Sequence, residues 1–258
     1  MNAETVLIAI VMFLALIGMI ICSKKQKASP AAQPIAIGLL VVVVVCGVLM
    51  LYKTGIFGDN NDFMEIENRY YASQGQVVGE YVNKNFAGKK VLVIMDRGYE
   101  KNPRTEVLLQ ALKAGAGSDL DVTADTLTLA NAPKGPEGEE IEMPLFETMT
   151  AKDFNAVLSK HKDAGVIIST IGLPRDAKNM TLWRQKDRPK LILLSASDMR
   201  GYDYDALIKT DMIAAIVVVG PNAKFTEDAP PKDVQKTFDL RYVLIDSKNV
   251  EEYGNMFK

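Results

Sequence analysis

Two long apolar runs open the chain. Val6–Cys22 and Ile35–Tyr52 contain no charged residue, and each is close to the roughly 20 residues that a helix needs to cross a bilayer. Neither run has the polar face of a soluble core helix. The pattern therefore predicts a hairpin of two transmembrane helices, at about 6–22 and 35–52, that occupies residues 1–58 and has the membrane bilayer as its partner.

The polar segment between the two runs predicts the orientation of the hairpin. Residues 23–34 carry Lys24, Lys25 and Lys27, whereas the outer flanks carry little positive charge. Positively charged loops of this length stay in the cytoplasm. We therefore expect a protein of the bacterial inner membrane in which both termini and the soluble domain, residues 59–258, are extracytoplasmic.

Two other interpretations of the N-terminus are disfavoured by single residues. A cleaved signal peptide needs a basic start, and Met1–Thr5 has no Lys or Arg. A lipoprotein signal needs a small residue before its cysteine, and Ile21 precedes Cys22. We therefore expect both helices to be retained.

After a short polar exit at Asp59–Asp62, the pattern alternates between helical and strand-like segments. Ile66–Phe86 has apolar residues at helical spacing. Asn102 before Pro103 predicts a second helix, and Thr150 with Asp153 resembles a capping box. A further short helix is expected around Tyr204–Thr210. The candidate strands are Lys90–Asp96, Leu120–Leu129, Ala164–Thr170, Leu191–Ala196, Ala214–Gly220 and Leu240–Asp246.

These alternating elements predict the fold class. Short, continuously apolar strands are typical of a parallel sheet that is buried on both faces, and strands separated by helices imply right-handed crossovers. We therefore expect an α/β domain with a doubly wound, mostly parallel sheet of about six strands. The segment Ala130–Pro144 interrupts the rhythm with Pro, Gly and Glu, and it is interpreted as a solvated loop or an acidic partner-contact element.

Charge and cysteine content exclude several functions. The formal net charge of −2 provides no basic field for nucleic acid. Both cysteines, Cys22 and Cys46, lie in the apolar runs, so the soluble part has no thiol for a disulfide, a zinc site or a nucleophile. The domain has neither a G-x-G-x-x-G nor a P-loop motif, and Asp96–Pro103, the turn after the first strand, contains Gly98 as its only glycine. No nucleotide cofactor is therefore expected.

Catalysis and metal binding have little support in the residue pattern. The sole histidine, His161, is expected near the end of a helix, where the helix dipole favours a cation. Asp96, Asp198 and Asp246 form a carboxylate site for a cation only if their strands are neighbours. Trp183 is interpreted as an aromatic residue packed against the sheet or, alternatively, as a stacking residue for a sugar or partner. We predict no catalytic residue, no metal and no cofactor.

Polar residues follow the predicted strands, and the carboxyl ends of parallel strands form the usual ligand site of such sheets. Five such ends are expected, and the last of them is at Asp246. If a small polar ligand binds, it does so weakly at this edge. The candidate ligand-binding residues are Asp96, Arg97, Thr170, Ser195, Ser197 and Asn222.

The region Tyr81–Asn222 resembles one lobe of the periplasmic-binding-protein type 1 superfamily. The resemblance is carried by Asn85–Met95, Asp163–Thr170 and Lys209–Pro221. It implies a Rossmann-like lobe that belongs to a class of sugar and amino-acid receptors. Members of the family close two lobes around their ligand, whereas six candidate strands suffice for one.

Two functional hypotheses follow from the sequence. The first is a non-catalytic accessory or scaffold subunit of a bacterial envelope complex, which docks on other membrane subunits or on itself through the extracytoplasmic domain. The alternative is a membrane-tethered, single-lobe binding or sensor domain for a small polar, sugar-like solute. A concave polar pocket at the strand ends favours binding, whereas a flat apolar surface favours docking.

Overall fold

The computed structural model describes residues 3–25, 32–53, 60–132, 143–194, 202–226 and 228–257. The chain divides into two compact units, Met1–Met64 and Glu65–Lys258. Most of the predicted loop Ala130–Pro144 lies outside the described residues, as do Ser195 and Ser197.

The first unit is built from two apolar helices, α1 (Ala3–Lys25) and α2 (Ala32–Lys53). They pack against each other at Gly18, where an added Cβ would lie 2.9 Å from a methyl group of Leu39. Both helices run further into the predicted lysine loop than the apolar runs do, so Lys24 and Lys25 belong to α1.

The second apolar run gives the helix that meets the requirements of a membrane span. Among the described residues, the stretch Ala32–Met50 of α2 is long and apolar enough to cross a bilayer, and Ile8–Lys24 of α1 is a shorter apolar stretch. A signal sequence near an N-terminus satisfies the same criterion. The prediction of an apolar, span-length helix is therefore confirmed for α2.

The second unit contains a helix at each predicted position and six strands. The first helix, α3, begins at Asn60, so the predicted polar exit is already partly helical. In chain order the elements are α3 (Asn60–Phe86), β1 (Lys90–Met95), α4 (Pro103–Ala116), β2 (Val122–Thr126), α5 (Leu145–Thr148), α6 (Ala151–Lys160), β3 (Ala164–Ser169), β4 (Lys190–Leu194), α7 (Tyr204–Lys209), β5 (Ala215–Val219), α8 (Val234–Asp239), β6 (Tyr242–Asp246) and α9 (Val250–Tyr253).

Two predicted capping signals are confirmed in the structure. The side chain of Asn102 accepts a hydrogen bond from the backbone N–H of Arg104, and Pro103 occupies the first turn of α4. Thr150 and Asp153 form a reciprocal capping box at the start of α6. These side chains satisfy N–H groups that a helix leaves unpaired at its first turn.

The sheet has the strand order β2-β1-β3-β4-β5-β6. The pairs from β2 through β5 are parallel, whereas β5 and β6 are antiparallel. The prediction of an α/β fold with a six-stranded, mostly parallel sheet is therefore confirmed. Strand order reverses between β1 and β3, which lie side by side although β2 comes between them in the sequence.

The two faces of the sheet are covered by different sets of helices. One face, here called the α3 face, packs against α3, α4 and α8. The other face, here called the α6 face, packs against α5, α6, α7 and α9 together with short 3-10 turns. Alternate residues of each strand enter the two cores, as the period of two along a strand requires.

On the α3 face, the backbones of α3 and α4 lie in direct contact. A Cβ on Gly75 would lie 2.2 Å from the carbonyl oxygen of Leu108, and a Cβ on Gly79 would lie 2.3 Å from that of Leu112. From α4, a Cβ on Gly115 would meet α3 at a similar distance. Only glycine permits so close an approach of two backbones.

The α3 face also buries a charged group, Arg241, which is 3% exposed. Its Nη1 donates to Oε1 of Glu67 at 2.7 Å. Its guanidinium carbon lies 3.4 Å from the ring centroid of Tyr70 and 5.0 Å from that of Phe225. These four residues, here called the Arg241 cluster, join the start of α3 to the connection between β5 and β6.

Candidate functional site

The carboxyl ends of β1 and β3 form the switch point of the sheet, where a crevice for a ligand is expected in a fold of this order. Asp96 and Arg97 follow β1, and Thr170 follows β3 on the adjacent strand. The structure therefore brings three of the sequence-predicted site residues to neighbouring strand ends. We call them the switch-point cluster.

Asp96 and Arg97 belong to an exposed turn. Oδ1 of Asp96 accepts a hydrogen bond from the backbone N–H of Arg97 at 2.7 Å. Gly98 follows in the left-handed conformation, with φ of 68°, which a residue with a Cβ adopts only at a cost. The Asp96 carboxylate is thus held in place by its own backbone.

Both hydrogen-bond donors of Thr170 are used within the sheet. Its Oγ1 donates to the carbonyl oxygen of Ile94 at 3.1 Å, and its backbone N–H donates to the same oxygen at 3.0 Å. The hydroxyl of the preceding residue, Ser169, donates to the carbonyl oxygen of Gly172. The hydroxyl of Thr170 is therefore left as a hydrogen-bond acceptor for any ligand at this edge.

The remaining predicted residues lie further along the edge or outside the described residues. Asn222 is exposed and comes three residues after β5. Because β4 separates β3 from β5, and neighbouring strands are about 4.8 Å apart, the ends of β3 and β5 are about 10 Å apart. Ser195 and Ser197, between β4 and α7, are not among the described residues.

Asp246 does not share this edge, and the expectation that it does is wrong. Since β6 runs antiparallel, Asp246 pairs with Ala215 at the start of β5. It therefore lies at the amino edge, across the sheet from Asp96, while Asp198 lies outside the described residues. Within the described part of the chain, no group of three or more His, Cys, Asp or Glu is arranged to hold a metal ion.

A cleft of about 810 Å³ opens on the α6 face, between α7 on one side and α9 with its following turn on the other. It lies between the start of α7 and the C-terminal turn Gly254–Phe257. Tyr202 fixes its position, because its hydroxyl donates to the carbonyl oxygen of Pro174 and accepts from the N–H of Ala177, both in the segment after β3. We call it the α7 cleft. Its lining residues are Tyr202, Asp203, Asp205, Lys209, Glu251, Gly254, Asn255 and Phe257.

The carboxylates of the α7 cleft are held by local contacts. Asp203 caps α7 by accepting from the backbone N–H of Ala206 at 3.0 Å. Asp205 accepts from Nζ of Lys209 at 2.9 Å, and this hydrogen bond raises the pKa of Lys209 above its ordinary value. Glu251 lies in the first turn of α9. The cleft therefore presents three carboxylates and one ammonium group.

Aromatic rings form the apolar part of the α7 cleft. The ring centroids of Tyr202 and Tyr204 are 6.0 Å apart in an edge-to-face arrangement. Tyr204 is buried and lies 6.0 Å from Phe257. This row of rings joins the segment before α7 to the C-terminal turn, and it gives the cleft apolar surfaces beside its charged groups.

Sequence reasoning missed the α7 cleft. A helix was expected at Tyr204–Thr210, and the cap at Asp203 is readable as an Asp before that helix. No local pattern shows that Gly254–Phe257 returns to pack beside α7, because that contact is made only in the folded chain. His161 and Trp183, by contrast, lie as expected: His161 ends α6, and Trp183 is partly buried against the core of the α6 face.

No known protein family matches the sequence, and no curated protein sequence matches it. Solved structures do resemble its fold. The sugar-binding protein of a sugar ABC transporter from Bacillus halodurans is 13% identical, with a TM-score of 0.43, over 71% of this chain and 64% of its own. The arabinose-binding protein AraP from Geobacillus stearothermophilus is 13% identical, with a TM-score of 0.42, over 71% and 63%.

A third similar structure is a solute-binding protein of an ABC transporter from Bradyrhizobium sp. BTAi1 with bound bis-tris, which is 15% identical with a TM-score of 0.44. The match covers 72% of this chain and 54% of that one. The chain thus spans 64% or less of the length of these three binding proteins. The likeness concerns the fold alone, so function is argued below from the site.

Proposed function

We propose that the protein is a membrane-tethered, non-catalytic binding or sensor domain for a small polar, sugar-like solute, which binds in the α7 cleft. The observation that carries this proposal is the composition and position of the cleft. It combines charged side chains of α7 and α9 with the aromatic side chains of Tyr202 and Phe257. Its volume of about 810 Å³ is within the range of small-molecule sites, about 300–1,000 Å³.

The lining of the cleft fits a polyhydroxylated ring. Carboxylates such as Asp205 and Glu251 accept hydrogen bonds from hydroxyl groups, and Lys209 donates to them. Tyr202 and Phe257 offer apolar surfaces on which the C–H face of a sugar ring packs. A single lobe leaves such a ligand partly in water, so affinity is weak, on the order of 0.1–1 mM or poorer.

The membrane part of the proposal rests on the charge asymmetry around α1 and α2. Both helices span the inner membrane, residues 23–34 face the cytoplasm, and the α/β domain is extracytoplasmic. A reporter enzyme that is active only outside the cytoplasm, fused after Lys258, is expected to be active. A stable but inactive fusion would overturn this orientation.

Titration of the full chain in lipid nanodiscs tests the solute site. Monosaccharides and, for comparison, amino acids are added while NMR signals of labelled tyrosine and phenylalanine are followed. We expect millimolar binding of at least one monosaccharide, with shifts at Tyr202 and Phe257. Shifts confined to Tyr99, which lies two residues after Arg97, would move the site to the switch-point cluster. No shift at tens of millimolar would overturn the proposal.

A matched pair of variants on α9 sharpens this test. Glu251 lines the cleft, whereas its neighbour Glu252 is exposed and does not line it. Glu251→Gln is expected to weaken binding about ten-fold or more, because one charge-assisted hydrogen bond contributes about 1.5–3 kcal/mol and each 1.4 kcal/mol is a factor of about ten. Glu252→Gln is expected to leave the affinity within two-fold. Equal effects of the two substitutions would contradict the assignment of the cleft.

A second candidate function, that of an accessory subunit that docks on other membrane subunits or on itself, is favoured by a separate observation. Phe225 is 67% exposed and Val219 is 49% exposed, both near the connection between β5 and β6. A photo-crosslinking amino acid at position 225 is expected to capture a specific protein band in cells if this surface docks. The same probe at exposed Lys113, on α4, is the control.

A further inference from the structure

A second pocket lies on the α6 face at the amino edge of the sheet, and neither hypothesis above uses it. Its volume is about 340 Å³, at the lower end of the range for small-molecule sites. It lies between the C-terminal half of α6, the start of β3 and the 3-10 turn Thr181–Arg184. We call it the α6 pocket.

The floor of the α6 pocket is apolar. Leu158, Ala164 and Pro189 are partly exposed and supply its accessible apolar surface. Ile167 and Leu182 also line it, but both are fully buried. Such a surface accepts a compact hydrocarbon group, and the burial of each CH₂ group contributes about 0.8 kcal/mol.

The rim of the α6 pocket supplies hydrogen-bond donors. Oδ1 of Asn155 accepts from the N–H and the hydroxyl of Thr181, both at 3.0 Å, which directs its amide nitrogen to other acceptors. Lys162 and Gln185 also lie on the rim. No carboxylate is among the described residues that line the pocket.

The carbonyl groups at the end of α6 repel an anion, and the positive charges of two lysines oppose this repulsion. The last carbonyl groups of a helix carry partial negative charge. Lys160 lies in the last turn of α6, and Lys162 follows two residues later. The positive charge of these side chains therefore outweighs the helix end at the mouth of the pocket.

His161 on the rim is hydrogen-bonded to a carboxylate and is not part of a catalytic triad. Its Nε2 lies 2.8 Å from Oδ2 of Asp125 on β2. The nearby hydroxyl of Ser159 donates to the carbonyl oxygen of Ala156 at 2.8 Å, so it is not activated by the imidazole. The apolar floor and the polar rim of the pocket are therefore interpreted as a binding site.

From this lining we propose that the α6 pocket binds a small monocarboxylate with a compact apolar body. The hydrocarbon part lies on Leu158, Ala164 and Pro189, and the carboxylate meets Lys162 and the amide nitrogens of Asn155 and Gln185. The α7 cleft, with its three carboxylates, selects against such an anion. The two sites therefore accept different classes of solute on one face of the domain.

Trp183 provides the measurement, because it is the only tryptophan of the chain and lies beside the pocket residue Leu182. The full chain in nanodiscs is titrated with cyclohexanecarboxylate, which does not absorb in the relevant range. Cyclohexylmethanol and cyclohexylmethylamine serve as the neutral and cationic matches. We expect saturable, millimolar binding of the carboxylate and at least five-fold weaker binding of the other two probes.

Two lysine variants test whether the carboxylate binds in the α6 pocket. Lys162→Gln is expected to weaken carboxylate binding at least five-fold, whereas Lys152→Gln, at an exposed position of α6 outside the lining, changes it less than two-fold. Gln185→Ala is a second rim variant and is expected to weaken it two- to five-fold. Equal binding of the three probes, no saturation at 20 mM, or equal effects of the two lysine variants would overturn the proposal.

Discussion

The two faces of the sheet are built differently. On the α3 face, helices of 27 and 14 residues touch through their backbones at glycine, and the buried Arg241 has a carboxylate and two aromatic rings as partners. On the α6 face, the longest helix has 10 residues, and the rest of the layer is made of shorter helices and 3-10 turns. Both pockets described above lie on the α6 face.

This difference predicts that residues for stability and residues for the proposed binding lie on different faces of the sheet. Long helices with a continuous apolar face fill the space over a sheet and leave no cleft between them. Short helices joined by turns cover the sheet incompletely, and their exposed ends and loops place polar side chains around the gaps. Substitutions on the α3 face should therefore lower the free energy of unfolding, whereas substitutions on the α6 face should mainly change binding.

The largest expected effect follows from breaking the ion pair of the Arg241 cluster. Glu67→Ala leaves the buried guanidinium of Arg241 without its carboxylate, and such a loss costs about 3–5 kcal/mol. The free energy of unfolding is measured in detergent by urea titration with Trp183 fluorescence. Glu65→Ala, at an exposed position of the same helix, is the control and should change it by about 0.5 kcal/mol or less.

A double variant separates the charge from the packing in this cluster. Glu67→Met with Arg241→Met removes both charges and keeps an unbranched side chain against Tyr70. Replacement of a buried ion pair by apolar groups is often neutral or stabilising, so this variant should be more stable than Glu67→Ala. A double variant that is less stable than Glu67→Ala would show that packing around Tyr70, and not the unpaired charge, determines the loss in the free energy of unfolding.

The next effect tests the backbone contact between α3 and α4. Gly79→Ala places a methyl group against the carbonyl oxygen of Leu112, and we expect the free energy of unfolding to fall by about 1–3 kcal/mol. Gly220→Ala is the matched control, because its Cβ would meet other atoms only at 3.7 Å or more. Monosaccharide binding by the α7 cleft should be unchanged in folded Gly79→Ala protein. A stability equal to that of the parent protein would mean that the two helices separate at little cost.

Local signals in the sequence predicted the fold class and most element positions. The apolar runs around Val91–Met95 and Ile216–Val218 are readable as buried strands, and the caps at Asn102 and Thr150 place two helix starts. The direction of β6 was not readable, because a short buried strand has the same pattern whether it runs parallel or antiparallel. That is why Asp246 was assigned to the wrong edge.

The candidate site was less accessible to sequence reasoning than the fold. The switch-point cluster was predictable, since polar residues after parallel strands share one edge. The α7 cleft depends on where the C-terminal turn packs, and the α6 pocket depends on how closely Thr181–Arg184 approaches α6. The Arg241 cluster likewise joins residues 174 positions apart, and nothing in the neighbourhood of Arg241 in the sequence marks it as buried.

A smaller effect is expected at the capping box of the α6 face. Thr150→Ala removes the side chain that caps α6, and we expect a loss of about 1 kcal/mol in the free energy of unfolding. Thr150→Ser keeps the hydroxyl and should restore most of it. Because α6 lines the α6 pocket, Thr150→Ala should weaken binding of cyclohexanecarboxylate as well. A loss above about 3 kcal/mol would contradict the contrast between the two faces.

The smallest effect is a pH dependence that originates in the same capping box. Asp153 is 3% exposed, and burial by itself raises its pKa, but hydrogen bonds from the N–H of Ala130 and from the hydroxyl and N–H of Thr150 outweigh burial and lower the pKa below its ordinary value. The unfolded chain, with a carboxyl pKa of about 3.9, therefore binds this proton more readily than the folded chain does.

The sign of the dependence follows from that difference in proton binding. The stabilisation from Asp153 is fully present above the unfolded pKa, and it is lost as the pH falls through the lower pKa of the folded state. Asp153→Asn keeps an acceptor oxygen but does not titrate. The stability difference between the parent protein and Asp153→Asn should thus be constant from pH 7 to about pH 5 and shrink from there to about pH 2.5. A difference that stays constant over the whole range would show that the Asp153 carboxylate is not the group that the capping box stabilises.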